Sequence, residues 1–409
     1  MSASPKRFES AIDSRHHPAS SVVLRYLNAV SWNESAANES RIDEARIKEL
    51  LAQASIAEGL QIVPIADYRG VKIDILDESS LMHTRTLKSI DGCVTAALCK
   101  SQGIERVVFE SGGNTGTALA AYAQRLGIES FCIVPEDNLP LLDSRIFSSP
   151  RLHLIAVEDP ASLRELIALV EGVCAVTRVP RVPWRIMASE IVGCFILEQL
   201  LGGRRYDYLA QSISAAFGPI GIYRVLERNH APMPRFIGVQ QAQNAAMYNA
   251  WRAGTIDIEP AHFKSTKDLL SRVMYDATPQ RYGTFESLRD LLDRSGGFLT
   301  TVDREEFDAL IMRGPGIGGL QSLSAAGVEI TRRGGEIVDE IFEKTGLMAL
   351  AGIFKQIDGG AIAPNSRVLC CLTGGTANPD GRAIPELRIR NASSARGELL
   401  DRWGMGVST

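Results

Sequence analysis

The sequence predicts an α/β protein with mostly parallel sheets flanked by helices, arranged as two domains or as one domain with a large insertion. Three observations predict it. Short apolar strands alternate with amphipathic helices from about residue 60 onward, the pattern of strand–crossover–strand units. At 409 residues the chain is longer than one compact core serves. Gly-rich turns recur where a strand gives way to a helix, and open α/β sheets bind ligands at such edges.

Taken in order, residues 1–20 are polar and read as a loose arm. RIDEARIKELLAQASIAEG spaces its apolar residues as a helix over about 41–58, with Gly59 available to close it. VKIDILDE (71–78) alternates with period two and reads as a strand. VVFE (107–110) is a second strand, followed by a Gly-rich turn and the helix TALAAYAQRLG. FCIVP (131–135), LHLIAVE (152–158) and VCAVTR (173–178) are further strand candidates. DYLAQSISAAFGPIG (207–221) reads as strand, turn and helix start. RFIGVQ (235–240) and SRVLCCLTGG (366–375) are strands again. Residues 255–335 are less regular, and RGPGIGGL (313–320) reads as a surface connection or a mobile loop. Residues 386–409 read as a surface tail.

Composition narrows the function. Lys plus Arg is 44 and Asp plus Glu is 48, so the net charge is −4. That balance argues against a broad basic surface for nucleic acid or anionic lipid. No run of about 18 apolar residues is present, so no transmembrane helix is expected, and MSASPKRFES lacks the apolar stretch of a secretory signal. The seven cysteines, at 93, 99, 132, 174, 194, 370 and 371, form no CxxC pair. An odd count without such pairs predicts reduced, buried thiols and a cytoplasmic setting. The six histidines show no ligand spacing, and His16-His17 lies in a polar stretch, so no metal site is expected.

Four stretches carry chemistry. In HTRTLKSIDG (83–92), Lys88 falls where a strand passes into a helix, with Leu87 and Ile90 as apolar neighbours. A desolvated lysine there has a lowered pKa and serves as an amine nucleophile. On its own this signature also fits an ordinary surface lysine. ESGGNTGTALAAYAQRLGI (110–128) runs from strand through SGGNTG to an Ala-rich helix. The N–H groups of Gly112, Gly113, Asn114, Thr115 and Gly116 can converge on an anion at the helix start. A simple capped helix after a tight turn is the alternative. Gly218-Pro219-Ile220-Gly221 again links strand to helix and could cradle a phosphate, with one donor fewer because Pro219 has no N–H. It is neither a Walker A sequence nor GxGxxG, which argues against nucleoside triphosphates and dinucleotides. LTGGTANPDG (372–381) places the Thr373 hydroxyl at the end of an apolar strand. A lysine amine, an anion nest, a phosphate cup and a terminal hydroxyl are together what pyridoxal phosphate requires.

At these residues the chain resembles the fold type II, tryptophan synthase β-like pyridoxal phosphate enzymes, and within them threonine and cysteate synthases. Thr84-Arg85-Thr86-Leu87-Lys88 is similar to the family's T-G-S/T-F-K lysine motif, and Ser111-Gly112-Gly113-Asn114-Thr115-Gly116 to its S-S-G-N-T-G loop. PRVPWRIMASEIVGCFILEQL (180–200), VLCCLTGGTAN and LRYLNAV (24–30) are similar to further segments, so the resemblance spans roughly 20–385. Three departures stand out: Arg85 replaces a Gly, Ser89-Ile90 replaces D-R, and Gly112 replaces a Ser. They bear on the substrate rather than the cofactor.

The resemblance implies that Lys88 binds pyridoxal 5'-phosphate covalently and, once freed by an incoming amino acid, takes its α-proton. It implies that Asn114 bonds the cofactor's 3-hydroxyl, Gly218, Pro219, Ile220 and Gly221 hold its phosphate, and Thr373 meets its ring nitrogen. The substrate is expected on Thr84, Arg85, Ser111, Gly112, Gly113, Asn114 and Thr115. Arg85, three residues before Lys88, suits capture of an anionic leaving group or nucleophile; an ion pair with Asp91 or Glu110 would be the structural alternative. The implied chemistry is β- or γ-elimination or replacement on an amino acid such as O-phospho- or O-acetyl-serine or -homoserine. A deaminase, a racemase or a non-catalytic homologue on the same scaffold is the alternative. The implied partners are a small amino acid, a small nucleophile and a second copy in a homodimer. The implied domains are an N-terminal arm (1–59), a large cofactor domain (60–98 and 190–390), a small substrate domain (99–189) and a tail (391–409).

Overall fold

The computed structural model of the chain describes residues 5–32, 43–110, 113–142, 144–262, 269–271, 274, 279–313, 317–328, 344–374 and 383–404. It divides into two compact units. One comprises Met1–Val30, Ala57–Leu87 and Ser189–Gly375, the other Ser31–Ile56, Lys88–Ala188 and Thr376–Thr409.

The strands, in chain order, are β1 (Gln61–Tyr68), β2 (Val71–Asp77), β3 (Arg106–Glu110), β4 (Glu129–Pro135), β5 (Leu152–Val157), β6 (Thr177–Arg178), β7 (Tyr208–Ser212), β8 (Arg235–Gln241), β9 (Phe298–Val302), β10 (Arg367–Leu372) and β11 (Leu387–Ile389). The first unit carries a six-stranded sheet in the order β1-β2-β10-β7-β8-β9. All its pairs are parallel except the β1–β2 hairpin. Every residue of β7 is buried, as are all but the first of β10, which is why these strands read as continuous apolar runs. Ile73, Ile75, Val368, Cys370 and Leu372 pack against Leu347, Leu350, Ile353 and Phe354 of the helix Lys344–Asp358. β1 sits at the edge, interrupted by a register shift at Pro64, where a missing N–H is tolerated.

The second unit carries a five-stranded parallel sheet in the order β11-β5-β4-β3-β6. Its core joins Val108, Phe131, Ile133 and Ile155 to Leu166, Ile167 and Val170 of the helix Leu163–Cys174. The predicted strand 173–178 is corrected here. Val173 and Cys174 finish that helix, Ala175 closes it in the left-handed conformation (φ 49), and only Thr177–Arg178 pair as strand. The tail reading of 386–409 is corrected too. β11 pairs with β5, and Ala392, Ala395 and Leu399 of the helix Ala392–Trp403 are buried in this core.

The helix predicted over about 41–58 spans Glu44–Ala54, capped by the Asp43 carboxylate on the Ala45 and Arg46 N–H groups. It ends at Ser55 rather than Gly59. The seven cysteines are buried and none is in a disulfide, and burial pushes the Cys99 thiol up to about 12, consistent with packing rather than reactive roles. Among the described residues no helix is long and apolar enough to cross a membrane.

Candidate active site

In the second unit, Lys88 is the first residue of the helix Lys88–Ser101. Its Nζ lies 3.3 Å from Asp91 Oδ2, and its side chain keeps 21% of its exposure. Asp91 also meets Arg185, whose Nε lies 3.2 Å from the same oxygen. The Arg185 Nη2 donates to Thr115 Oγ1 at 3.2 Å. Thr115 stands in the first turn of the helix Asn114–Arg125, which Gly113 caps in an extended conformation. That turn brings helix N–H groups to the start of the predicted anion nest. The helix also draws on Gly113, whose carbonyl accepts from the Thr117 N–H at 3.1 Å and from its hydroxyl at 3.2 Å. Ser111 and Gly112 lie outside the described residues. This unit therefore gathers Lys88, Gly113, Asn114 and Thr115, and adds Asp91 and Arg185.

The spacing of the two helices depends on Gly92. A Cβ there would fall 2.7 Å from the Ala118 carbonyl oxygen, closer than real Cβ atoms come. Gly92→Val is expected to cost about 2–3 kcal/mol by overpacking, measurable as a lower urea midpoint. An unchanged midpoint would mean that the two helices do not cross this closely.

In the first unit, Thr84 and Thr86 are buried. The Thr86 hydroxyl donates to the Thr373 carbonyl at 3.1 Å and the Leu87 N–H donates to the same oxygen at 3.0 Å. The residue immediately before Lys88 is thus pinned just beyond the end of β10. Gly374, at φ 89, admits this strip, since a Cβ there would fall 2.3 Å from the Arg85 carbonyl oxygen. Arg85 itself has φ 58, the left-handed region that favours glycine, which gives a physical reason for a glycine at this point of the motif. Its Nη1 donates to the Ser80 carbonyl at 2.8 Å. Of the ion pairs considered for Arg85, Glu110 is met by Arg178 at 3.1 Å, and Asp91 by Lys88 and Arg185.

The turn expected at 218–221 begins earlier than the sequence suggests. β7 ends at Ser212, Ala216 adopts φ 57, and the helix Phe217–Arg228 has already started. Pro219 has no N–H, the Ile220 N–H donates to the Ala216 carbonyl at 3.3 Å, and Gly221 lies where the helix uses its own donors. Gly218 alone of the four offers a first-turn N–H. It rests on Gln211 of β7, whose side-chain amide a Cβ would meet at 2.6 Å. Two buried acceptors stand here without a hydrogen-bond partner among the described residues, Gln211 Oε1 and Thr373 Oγ1. Such orphans are rare unless something polar completes them.

Each unit carries groups that fit pyridoxal phosphate: a partly exposed lysine amine and a helix N-terminus in the second, and in the first a buried hydroxyl without a hydrogen-bond partner among the described residues. Sequence reasoning missed Arg185, Asp91 and Gln211. Arg185 and Asp91 lie 94 residues apart, and no local pattern marks such a pair.

A model of the family described as pyridoxal-phosphate dependent enzyme matches residues 69–311. The chain is similar to the cysteate synthase of Methanosarcina acetivorans, 24% identical over 318 residues, which are 73% of this chain and 70% of that protein. It is similar to the threonine synthase of the same organism, 22% identical over 323 residues, 76% of this chain and 72% of the other. The threonine synthase structure from Escherichia coli superposes with a TM-score of 0.66 at 13% identity, covering 98% of this chain and 91% of that one.

Proposed function

We propose, from the premise that this chain belongs to the family of pyridoxal-phosphate dependent enzymes, that it carries out elimination or replacement at the β- or γ-carbon of an amino acid bearing a leaving group. Pyridoxal phosphate is its cofactor, and when bound it supplies an aldehyde for covalent capture and a sink for electrons released at the α-carbon. The observation that carries the reading is the lysine strip. Thr86 and Leu87 are hydrogen-bonded to the carbonyl of Thr373, whose own hydroxyl is buried without a partner among the described residues.

Each residue then has a part. Lys88 would hold the cofactor through its amine, and its Nζ would take the substrate's α-proton. Thr373 would offer the ring nitrogen a neutral hydroxyl rather than the charge of a carboxylate, which would suit elimination followed by addition. Asn114 would bond the 3-hydroxyl, and the backbone of 111–115 would receive the substrate carboxylate. Gly218 and the adjoining turn would hold the phosphate; Pro219, Ile220 and Gly221 shape the helix start more than they donate. Thr84 lines the strip and Arg85 contacts an anionic leaving group or nucleophile. The 22–24% identity to cysteate and threonine synthases supports this reaction class, with O-phospho- or O-acetyl-serine or -homoserine as the substrate. The enzyme works as a cytoplasmic homodimer.

The test is product analysis. Purified protein is offered these amino acids with and without sulfite or sulfide. A new amino acid that incorporates the nucleophile supports replacement, and release of the leaving group with ammonia and a 2-oxo acid supports elimination; ammonia from serine or threonine, with the phospho- and acetyl-amino acids left intact, would mean a deaminase. Arg85→Ala is expected to raise the Michaelis constant for anionic substrates about tenfold, the value of one charge-assisted contact, and unchanged constants for all of them would remove Arg85 from the site.

A further inference from the structure

Asp91 stands three residues after Lys88 on the same helix. It is 5% exposed, and its Oδ2 is shared by two cations, Lys88 Nζ at 3.3 Å and Arg185 Nε at 3.2 Å. Its Oδ1 is buried and has no hydrogen-bond partner among the described residues. The Thr95 hydroxyl, one turn further along the helix, is buried and equally without a partner among them. An acidic residue in the first turn of a helix is favoured by the backbone dipole, but that effect needs no burial and no second cation. A carboxylate withdrawn from water to this degree persists as an anion only where positive charge compensates it. Here the compensation comes from the reactive lysine itself and from an arginine held in turn by Thr115.

We propose that Asp91 is a positioning residue for Lys88: its Oδ2 holds the lysine Nζ and raises that nitrogen's affinity for a proton, while Arg185 fixes the carboxylate and limits the effect. This rests on the reading that Lys88 captures the cofactor and takes the α-proton. In that step the substrate C–H bond breaks, an N–H bond forms on Lys88, and the electron pair remains with the carbon skeleton. The nitrogen becomes an ammonium, and an anion 3.3 Å away lowers the energy of that charge. Among the described residues, the cations paired with Asp91 are Lys88 on its own helix and Arg185 on the helix Val182–Leu201. The helix Glu44–Ala54, which also packs here, keeps its charges in surface pairs, Arg46 with Glu49 and Lys48 with Glu44. The basic residue of the helix Asn114–Arg125 is Arg125, in its last turn.

The experiment is a pH titration of the cofactor absorbance band of the holoenzyme, for wild type, Asp91→Asn, Asp91→Glu and Arg185→Gln. Removing the anion in Asp91→Asn is expected to lower the titration midpoint by about one pH unit or more. Asp91→Glu should restore most of the wild-type midpoint. Arg185→Gln should move the midpoint upward, because Lys88 then has the carboxylate to itself. Should Asp91→Asn fail to fold, the upward shift in Arg185→Gln still decides. Bound cofactor in every variant with midpoints within about 0.2 unit of wild type, or an upward shift in Asp91→Asn, overturns the proposal while leaving the function assigned to Lys88 intact. A wild-type protein with no cofactor band overturns both.

Discussion

Lys88→Ala is expected to abolish covalent cofactor binding and to lower turnover about a thousandfold or more. Two effects combine in that figure. On the proposed assignment, the substitution removes both the amine that would capture the cofactor aldehyde and the base that would receive the α-proton, itself worth about 10²–10⁴ in rate. The fold should survive, because Lys88 opens its helix and keeps part of its surface exposed. Its one charged neighbour on that helix, Asp91, retains Arg185 as a counter-ion. Urea unfolding of the cofactor-free protein should therefore change by no more than about 1 kcal/mol, a loss of pairing rather than of packing. Turnover that persists at a tenth of wild type would show that another group performs the chemistry.

Thr373→Val is expected to move stability and cofactor affinity in opposite directions. The Thr373 side chain is 3% exposed, and its hydroxyl has no partner among the described residues. Valine has nearly the same shape and no oxygen to desolvate. Replacing an unsatisfied buried hydroxyl should stabilise the cofactor-free protein by about 1 kcal/mol. The carbonyl that receives Thr86 and Leu87 belongs to the backbone and stays in place. On the proposed assignment, the same change would remove a hydrogen bond to the bound cofactor's ring, so affinity should fall about tenfold. Calorimetric unfolding without cofactor and equilibrium titration with it separate the two effects. If Thr373→Val weakened the cofactor-free protein while leaving affinity unchanged, the hydroxyl would be a structural group and not a ligand contact.

Much of this organisation was legible because it is local. The apolar runs around Ile73 and Cys370 are strands buried on both faces, and such strands announce themselves by composition. Asn114 follows a strand and opens a helix in sequence as in structure. The failures also have physical causes. Val173 and Cys174 are apolar because one face of their helix is buried, and a short apolar run does not tell helix from strand. Pro64 masked β1, since a proline inside an apolar stretch reads against a strand unless the strand lies at an edge. The helix Ala392–Trp403 buries only Ala392, Ala395 and Leu399, too sparse a stripe to distinguish from a tail. At the site, the lysine motif was readable, but what holds it was not. Leu87 finds its acceptor on Thr373 and Asp91 finds its second cation on Arg185, pairings set by the fold and invisible in any window of sequence. Arg85 shows the converse. Its departure from a glycine was visible at once, and the positive φ at that residue supplies the reason a glycine would suit.

The central claim is that Lys88 carries the cofactor. It is tested most directly by reducing the purified, cofactor-loaded protein with borohydride, digesting it and mapping the modified peptide by mass spectrometry. The account predicts a cofactor-derived mass on Lys88, at a stoichiometry near one per chain. A modified lysine elsewhere in the chain, or no modification of the wild-type protein, would contradict it.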